Sequence, residues 1–188
     1  MPPAPREQAP GFHHVWVNAT GHEAYFVDSV DRMDWIRQLI GTLDYFGWRC
    51  LAFAQVTTHV HLVLDVPDLS LPLGMKRLNY RYSSSFNSRH ERHGQFVRRR
   101  YGSRRLVSGR DLVGTYAYVV LNPVAAGLAS RPEDWTWSSY ATTIGLFNDF
   151  PFVDAAPVLA ELGGSVEALR KTVASRLADR SSPATSGV

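Results

Sequence analysis

The chain has 188 residues, 45% of them hydrophobic, a single cysteine and a formal net charge of +3. That is enough apolar material for one main core, and one cysteine excludes a disulfide framework. No apolar stretch approaches the roughly 20 residues a spanning helix needs, and Met1-Pro2-Pro3-Ala4-Pro5-Arg6 lacks the apolar run of a signal peptide, so a cytoplasmic protein with no membrane partner is expected.

Residues 1–10 carry four prolines and read as a flexible arm. Phe12 to Asn18 reads as a first strand, with Ala19-Thr20-Gly21-His22 as its exit. From Val30 to Phe46, Met33, Trp35, Ile36, Leu39, Ile40, Leu43 and Phe46 recur at helical spacing; Asp28 or Ser29 can cap the start, and Gly47 stops the run. Arg49 to Val56 and His59 to Val66 read as two strands of a hairpin, followed by a helix over Leu73 to Arg89 and a break from His90 to Gly94. Gln95 to Val107 is basic and β-like, and Gly109 to Leu121 reads as a third long helix that ends before Pro123.

Asn122 to Leu128 turns out of that helix, and Pro132 to Tyr140 reads as a tryptophan-rich packing segment. Val153 to Leu162 and Ser165 to Leu177 read as short helices. The order β-α-β-β-α-β-α predicts an α+β fold: a ferredoxin-like antiparallel sheet with helices mainly on one face. The expected layout is a main domain over residues 11–145, a C-terminal helical extension over 146–177 and a disordered tail over 178–188.

Charge is segregated along the chain. Lys76 to Arg110 holds eleven Lys/Arg and one acid, Glu91, a balance of +10 against −7 for the remainder. Arginines interleaved with aromatic and small polar residues fit a polyanion-binding surface, nucleic acid above all; a solvated helix face is the plainer reading.

In His59-Val60-His61 the two-residue period of a strand puts both imidazoles on one face, where they can act as two ligands from one rigid element, or as two structural histidines on a half-buried strand. Tyr118 and Asn122 stand four apart on one helix face, whereas Tyr116 is six residues from Asn122 and lies on another. A tyrosine hydroxyl and an amide oxygen meeting two histidines suggest metal-assisted phosphoryl chemistry with Tyr118 as nucleophile. His13, His14, His22, His90 and His93 have no comparable arrangement and read as surface or supporting groups.

Four motifs, in order, then carry a resemblance: His59-Val60-His61-Leu62-Val63-Leu64; Gly94 to Tyr101; Leu121-Asn122-Pro123-Val124-Ala125-Ala126-Gly127-Leu128; and Trp137-Ser138-Ser139-Tyr140. Over about Phe12 to Tyr140 the chain resembles the single-tyrosine HUH transposases, in their REP-associated tyrosine transposase branch. The resemblance implies a metal-dependent single-strand DNA endonuclease and strand transferase that acts beside DNA hairpins through a covalent 5′-phosphotyrosine. It makes His59, His61 and Asn122 the ligands of Mg²⁺ or Mn²⁺ and Tyr118 the nucleophile, in a monomer or homodimer. Lys76, Arg77, Arg81, Arg98, Arg99, Arg100, Arg104 and Arg105 are then expected to hold the DNA, with Tyr101 available for base stacking and Phe96 either a second stacking ring or a core residue.

The chain departs from the family pattern at Thr57-Thr58, where Pro-Asn is usual, at Asn18-Ala19-Thr20-Gly21, where Asn-Arg-Gly is usual, and at Arg98-Arg99, where Gln-Gly is usual. These departures keep open a catalytically silent hairpin-binding module of the same fold. A phosphodiesterase using water in place of tyrosine is a third reading.

Overall fold

The computed structural model describes residues 9–20, 23–97 and 101–181. The elements run β1 (Gly11–Asn18), α1 (Ser29–Phe46), β2 (Arg49–Gln55), β3 (His59–Val66), α2 (Leu71–Arg89), β4 (Gly102–Arg105), α3 (Gly109–Val120), α4 (Asn122–Ala125), a 3₁₀ turn (Pro132–Asp134), α5 (Tyr140–Thr143), α6 (Ala156–Ala160) and α7 (Val166–Ser181). The strands form an open antiparallel sheet in the order β2-β3-β1-β4, the ferredoxin-like arrangement, with the two longest helices on one face.

Directly opposed residues of an antiparallel pair share a face, so the register sorts every side chain. Asn18 pairs with His59, Trp16 with His61 and His14 with Val63; on the other side of β1, Trp16 pairs with Gly102 and His14 with Arg104. The alternate set, Val15, Val17, Val60, Leu62 and Leu64, forms the first core with Trp35, Leu39, Met75 and Leu78 of α1 and α2. The second face packs Ala54 and Val63 against Tyr116, Ala117 and Val120 of α3. A bulge between Cys50 and Ala52 turns Leu51 and Ala52 both into this second core. Strand β2 is therefore covered on both faces, which is why it reads as a continuous apolar run.

Asp28 caps α1 by accepting from the amides of Val30 (2.9 Å) and Asp31 (3.1 Å). Gly47, left-handed at φ 65°, closes the other end. Asp31, almost wholly buried, accepts from Arg89 and from the His90 ring (2.9 Å), which ties the start of α1 to the end of α2. Among the described residues, the expected β-like segment over Gln95 to Val107 keeps four strand residues, Gly102–Arg105, while Phe96 and Val97 turn into the core; Phe96 stacks on Phe86 with ring centres 3.8 Å apart. Arg98, Arg99 and Arg100 lie outside the described residues.

The C-terminal region shields the edge of β2. Gln55 N–H donates to the Trp137 carbonyl (2.9 Å), Ser139 N–H to Phe53 (3.0 Å) and Asp154 N–H to Cys50 (2.8 Å), so backbone groups an edge strand would leave open are paired. Helix α6 is shorter than expected, ending before Gly163 and Gly164, both at positive φ. Helix α7 runs four residues past Leu177, into the segment read as a disordered tail. Leu169, Val173 and Leu177 form its apolar stripe, and the helix continues past the last of them to Ser181. Residues 182–188 of that tail, and 1–8 of the expected arm, lie outside the described residues.

Two glycines predict opposite outcomes. A Cβ at Gly74 would fall 2.0 Å from the buried Trp48 ring, whereas Gly41, exposed within α1, has open space around it. Gly74→Ala is expected to destabilise by about 1–3 kcal/mol through overpacking. Gly41→Ala should stabilise by up to about 1 kcal/mol through helix propensity. Urea denaturation monitored by circular dichroism distinguishes the two.

Candidate functional site

On β3, His59 and His61 face the α3 side, opposite Val60, Leu62 and Leu64. Helix α3 fills the sheet surface with Tyr116, Ala117 and Val120 and leaves Tyr118, 40% exposed, at its rim. The Tyr118 ring centre lies 5.4 Å from that of His61 and 5.6 Å from that of His14, edge-on to both. Pro123 supplies no N–H, so the ladder of α3 breaks there and resumes where Ala125 N–H donates to the Leu121 carbonyl (3.0 Å). Asn122 sits at that joint, buried, with Oδ1 3.2 Å from His59 Nε2.

Hydrogen bonds orient both imidazoles. Thr58 Oγ1 lies 3.0 Å from His59 Nδ1; with Nε2–H donating to Asn122 Oδ1, Nδ1 accepts from the hydroxyl. His61 Nδ1 lies 3.0 Å from His14 Nε2, a contact between two neutral rings in which one donates and the other accepts. Burial, reinforced by the nearby His14 and His59, pushes His61 down to about 3. Burial and then the Arg104 guanidinium bring His14 to about 4. Burial also lowers His59, against the opposing bond to Asn122. All three are neutral at neutral pH, the state in which an imidazole nitrogen can ligate a metal.

Among the described residues no group of three or more His, Cys, Asp or Glu side chains could hold a metal. The donors that converge are imidazoles and one amide. Cis ligands of an octahedral ion with bonds of about 2.1 Å stand about 3.0 Å apart. The 3.2 Å separation of His59 Nε2 and Asn122 Oδ1 fits such a pair.

The structure therefore gathers His59, His61, Tyr118 and Asn122, and adds His14, read from sequence as a surface or supporting group. The signal was available: the period of β1 puts His14 on the same face as Trp16, opposite β3. Arg104 also reaches the site, donating to Thr115 Oγ1 (3.0 Å) and pairing with Asp111 (3.1 Å). Arg105, one residue on, faces the other way, opposite His13.

Other expected DNA contacts lie elsewhere. Lys76, Arg77 and Arg81 belong to α2, across the sheet from Tyr118; Arg77 stacks over Tyr45 (4.6 Å) and Arg81 donates to Gln38 Oε1 (2.7 Å). Tyr101 is only 7% exposed and belongs to the first core with Phe96, so neither ring is a surface platform for base stacking.

A solved structure of a REP-associated tyrosine transposase bound to a REP hairpin superposes with a TM-score of 0.69 at 14% sequence identity, over 82% of this chain and 98% of that one. At that identity the likeness shows a shared fold. A protein of Deinococcus radiodurans R1 described as a candidate transposase matches with a TM-score of 0.45 at 17% identity, over 63% of this chain and 95% of its own; that likeness carries no argument. No protein-family model matches the chain, and no curated protein matches it. No described helix is long and apolar enough to cross a membrane.

The depressed imidazoles predict acid sensitivity. Above pH 6.5 the folded and unfolded chains both hold His14 and His61 neutral. As pH falls from 6.5 towards 4 only the unfolded chain takes up these protons, so each site costs up to about 1.4 kcal/mol of stability per pH unit. His14→Gln is expected to flatten the slope of unfolding free energy against pH in that window by close to one proton, measured by urea denaturation at stepped pH.

Proposed function

We propose that the protein is a metal-dependent single-strand DNA endonuclease and strand transferase acting beside DNA hairpins through a covalent 5′-phosphotyrosine on Tyr118. The observation that carries this reading is the convergence of two pairs of side chains far apart in sequence: His59 and Asn122 in contact at 3.2 Å, His61 beside His59, and the exposed Tyr118 ring 5.4 Å from His61. The fold shared with a hairpin-bound REP-associated tyrosine transposase supports it.

His59, His61 and Asn122 would hold the divalent ion. Imidazole nitrogens beside one amide oxygen suit Mn²⁺ at least as well as the harder Mg²⁺. When bound, the ion supplies charge stabilisation for the scissile phosphate and the departing 3′ oxygen. The protein's own part is to position groups. Thr58 holds the His59 ring, His14 holds the His61 ring, and α3 presents the Tyr118 hydroxyl from a packed helix.

In the step itself the Tyr118 oxygen bonds to phosphorus and the bond to the 3′ oxygen breaks; the tyrosine proton is lost and the 3′-OH gains one. Attack on the phosphotyrosine by another 3′-OH restores a phosphodiester, which is strand transfer. No nucleotide triphosphate is consumed, because the bond energy stays in the phosphotyrosine.

Labelled single-stranded hairpin oligonucleotides from the flanks of the protein's own gene, incubated with Mg²⁺ or Mn²⁺, test the reading by denaturing gel and mass spectrometry. Wild type should form a metal-dependent adduct on the Tyr118 peptide. Tyr118→Phe should lose adduct and cleavage while hairpin binding stays within about 0.5 kcal/mol. Cleavage by that variant would instead indicate attack by water. Tight binding with neither adduct nor cleavage, with both metals, would make the protein a silent hairpin-binding module. In a separate comparison, joint replacement of His59 and His61 by Ala should abolish cleavage even in excess Mn²⁺; undiminished activity would sink the metal assignment.

A further inference from the structure

Two cavities flank the Tyr118 ring, and helix α7 helps to build both. One, of about 670 Å³, opens between α3 and α7 and is lined by Tyr118, Lys171, Thr172, Ser175, Arg176 and Asp179, among others. The second, of about 430 Å³, brings His14, Arg104, Arg110 and Asp111 to the same ring. Arg176 lines the two together. Its seat is specific: a Cβ built on Gly114 would stand 3.0 Å from the Arg176 guanidinium, which therefore lies on bare backbone of α3. Gly114 precedes Tyr118 by four residues, so the notch lies on the helix face that carries the tyrosine, one turn away.

The charges here are not equally committed. Arg104 pairs with Asp111 at 3.1 Å, and Lys171 leans on Glu167 at 3.9 Å. Neither Arg176 nor Arg110 forms an ion pair among the described residues. Around Tyr118 the cations Arg104, Arg110, Lys171 and Arg176 face two carboxylates, Asp111 and Asp179. Leu169 and Val173, both buried, anchor α7 and so fix the helix that carries Arg176.

We infer that α7 completes the Tyr118 site by supplying Arg176 as a phosphate-binding residue for the single-stranded DNA backbone. A planar guanidinium can take two oxygens of one phosphodiester, and an arginine without a carboxylate partner gives up little to do so. Arg110 shares the second cavity and adds charge on the same side of the ring. The C-terminal helix is thus part of the strand's path. This inference rests on the nucleic-acid reading of Tyr118 and its neighbours.

Binding in EDTA separates it from catalysis. Fluorescence anisotropy of labelled oligothymidylate, titrated with the full chain over a series of NaCl concentrations, compares wild type with Arg176→Gln, Arg176→Lys and Arg37→Gln. Arg37 is an exposed control on α1, across the sheet. Arg176→Gln should weaken binding about tenfold at low salt and reduce the slope of log affinity against log salt by about 0.7, one single-strand phosphate contact. Arg176→Lys should keep the slope and lose only part of the affinity. Thermal melting checks that the exposed substitution leaves the fold intact. If wild type binds and Arg176→Gln behaves like Arg37→Gln, this inference is overturned while the Tyr118 reading stands. Equal loss of affinity and slope in the Gln and Lys variants would also overturn it, since a role in packing would explain both. Wild type that binds no single strand at any salt would overturn the nucleic-acid reading and this inference with it.

Discussion

The site depends on one constraint, the register between β1 and β3. Eight consecutive pairs, from Gly11 opposite Val66 to Asn18 opposite His59, lock the two central strands together. A slip of one residue would turn His59 and His61 into the core of α1 and α2 and expose Val60 and Leu62 in their place. The penalty for burying two imidazoles among Trp35, Leu39 and Met75, against the gain from burying valine and leucine there, makes the register strongly specified. The same pairing decides that His14, and not His13, meets His61. The imidazole cluster and the hydrophobic core are two faces of one alternation.

Covering both faces of the sheet has a consequence for the tyrosine. Helix α3 must bury Tyr116, Ala117, Val119 and Val120 to close the second core, which leaves one narrow side of the helix uncovered. Tyr118 occupies that side, close to the histidines but 40% exposed. A helix held by its buried face fixes the position of the Tyr118 ring, and the break at Pro123 lets Asn122 turn its amide to His59. The segment after α4 contributes by a different route: it pairs the edge of β2 through Trp137, Ser139 and Asp154, which brings the chain back to place α7 beside α3.

What could be read from the sequence follows from which interactions are local. The strands, α1 with its Asp28 cap and Gly47 stop, and the hairpin of β2 and β3 rest on periodicity, capping and turns, all visible in a short window. The sharing of one face by His59 and His61, and the spacing of Tyr118 and Asn122, rest on the same local rules. The meeting of those two pairs depends on where α3 docks, and spacing alone does not give that. The basic segment is divided by the fold for a related reason. Net charge counts Lys76, Arg77 and Arg81 with Arg104, although the sheet separates them; Tyr101 and Phe96 belong to the core, which composition does not reveal. Arg176 escaped notice because it stands outside the basic segment and acquires meaning only from Gly114, a contact between residues far apart in sequence.

The threonines before the histidine motif tie the turn between β2 and β3 to its neighbours. Thr57 offers its carbonyl to the amides of Tyr25 (2.7 Å) and Phe26 (3.3 Å), and the Thr58 carbonyl accepts from Ala19 (3.2 Å). These are backbone interactions, so they constrain the turn with little regard to side chain. Thr58 then adds what its side chain alone can supply, a hydroxyl 3.0 Å from His59 Nδ1. Nε2 is the nitrogen aimed at Asn122, and a metal shared with the amide would need the other tautomer, in which Nδ1–H donates to Thr58 Oγ1 and leaves the Nε2 lone pair open. The neutral state of His61 is protected in a parallel way, by burial and by its contact with His14. The aim of the imidazoles is set by hydrogen bonds on the far side of each ring, one of them from Thr58 itself, and by the register of the strand that carries them.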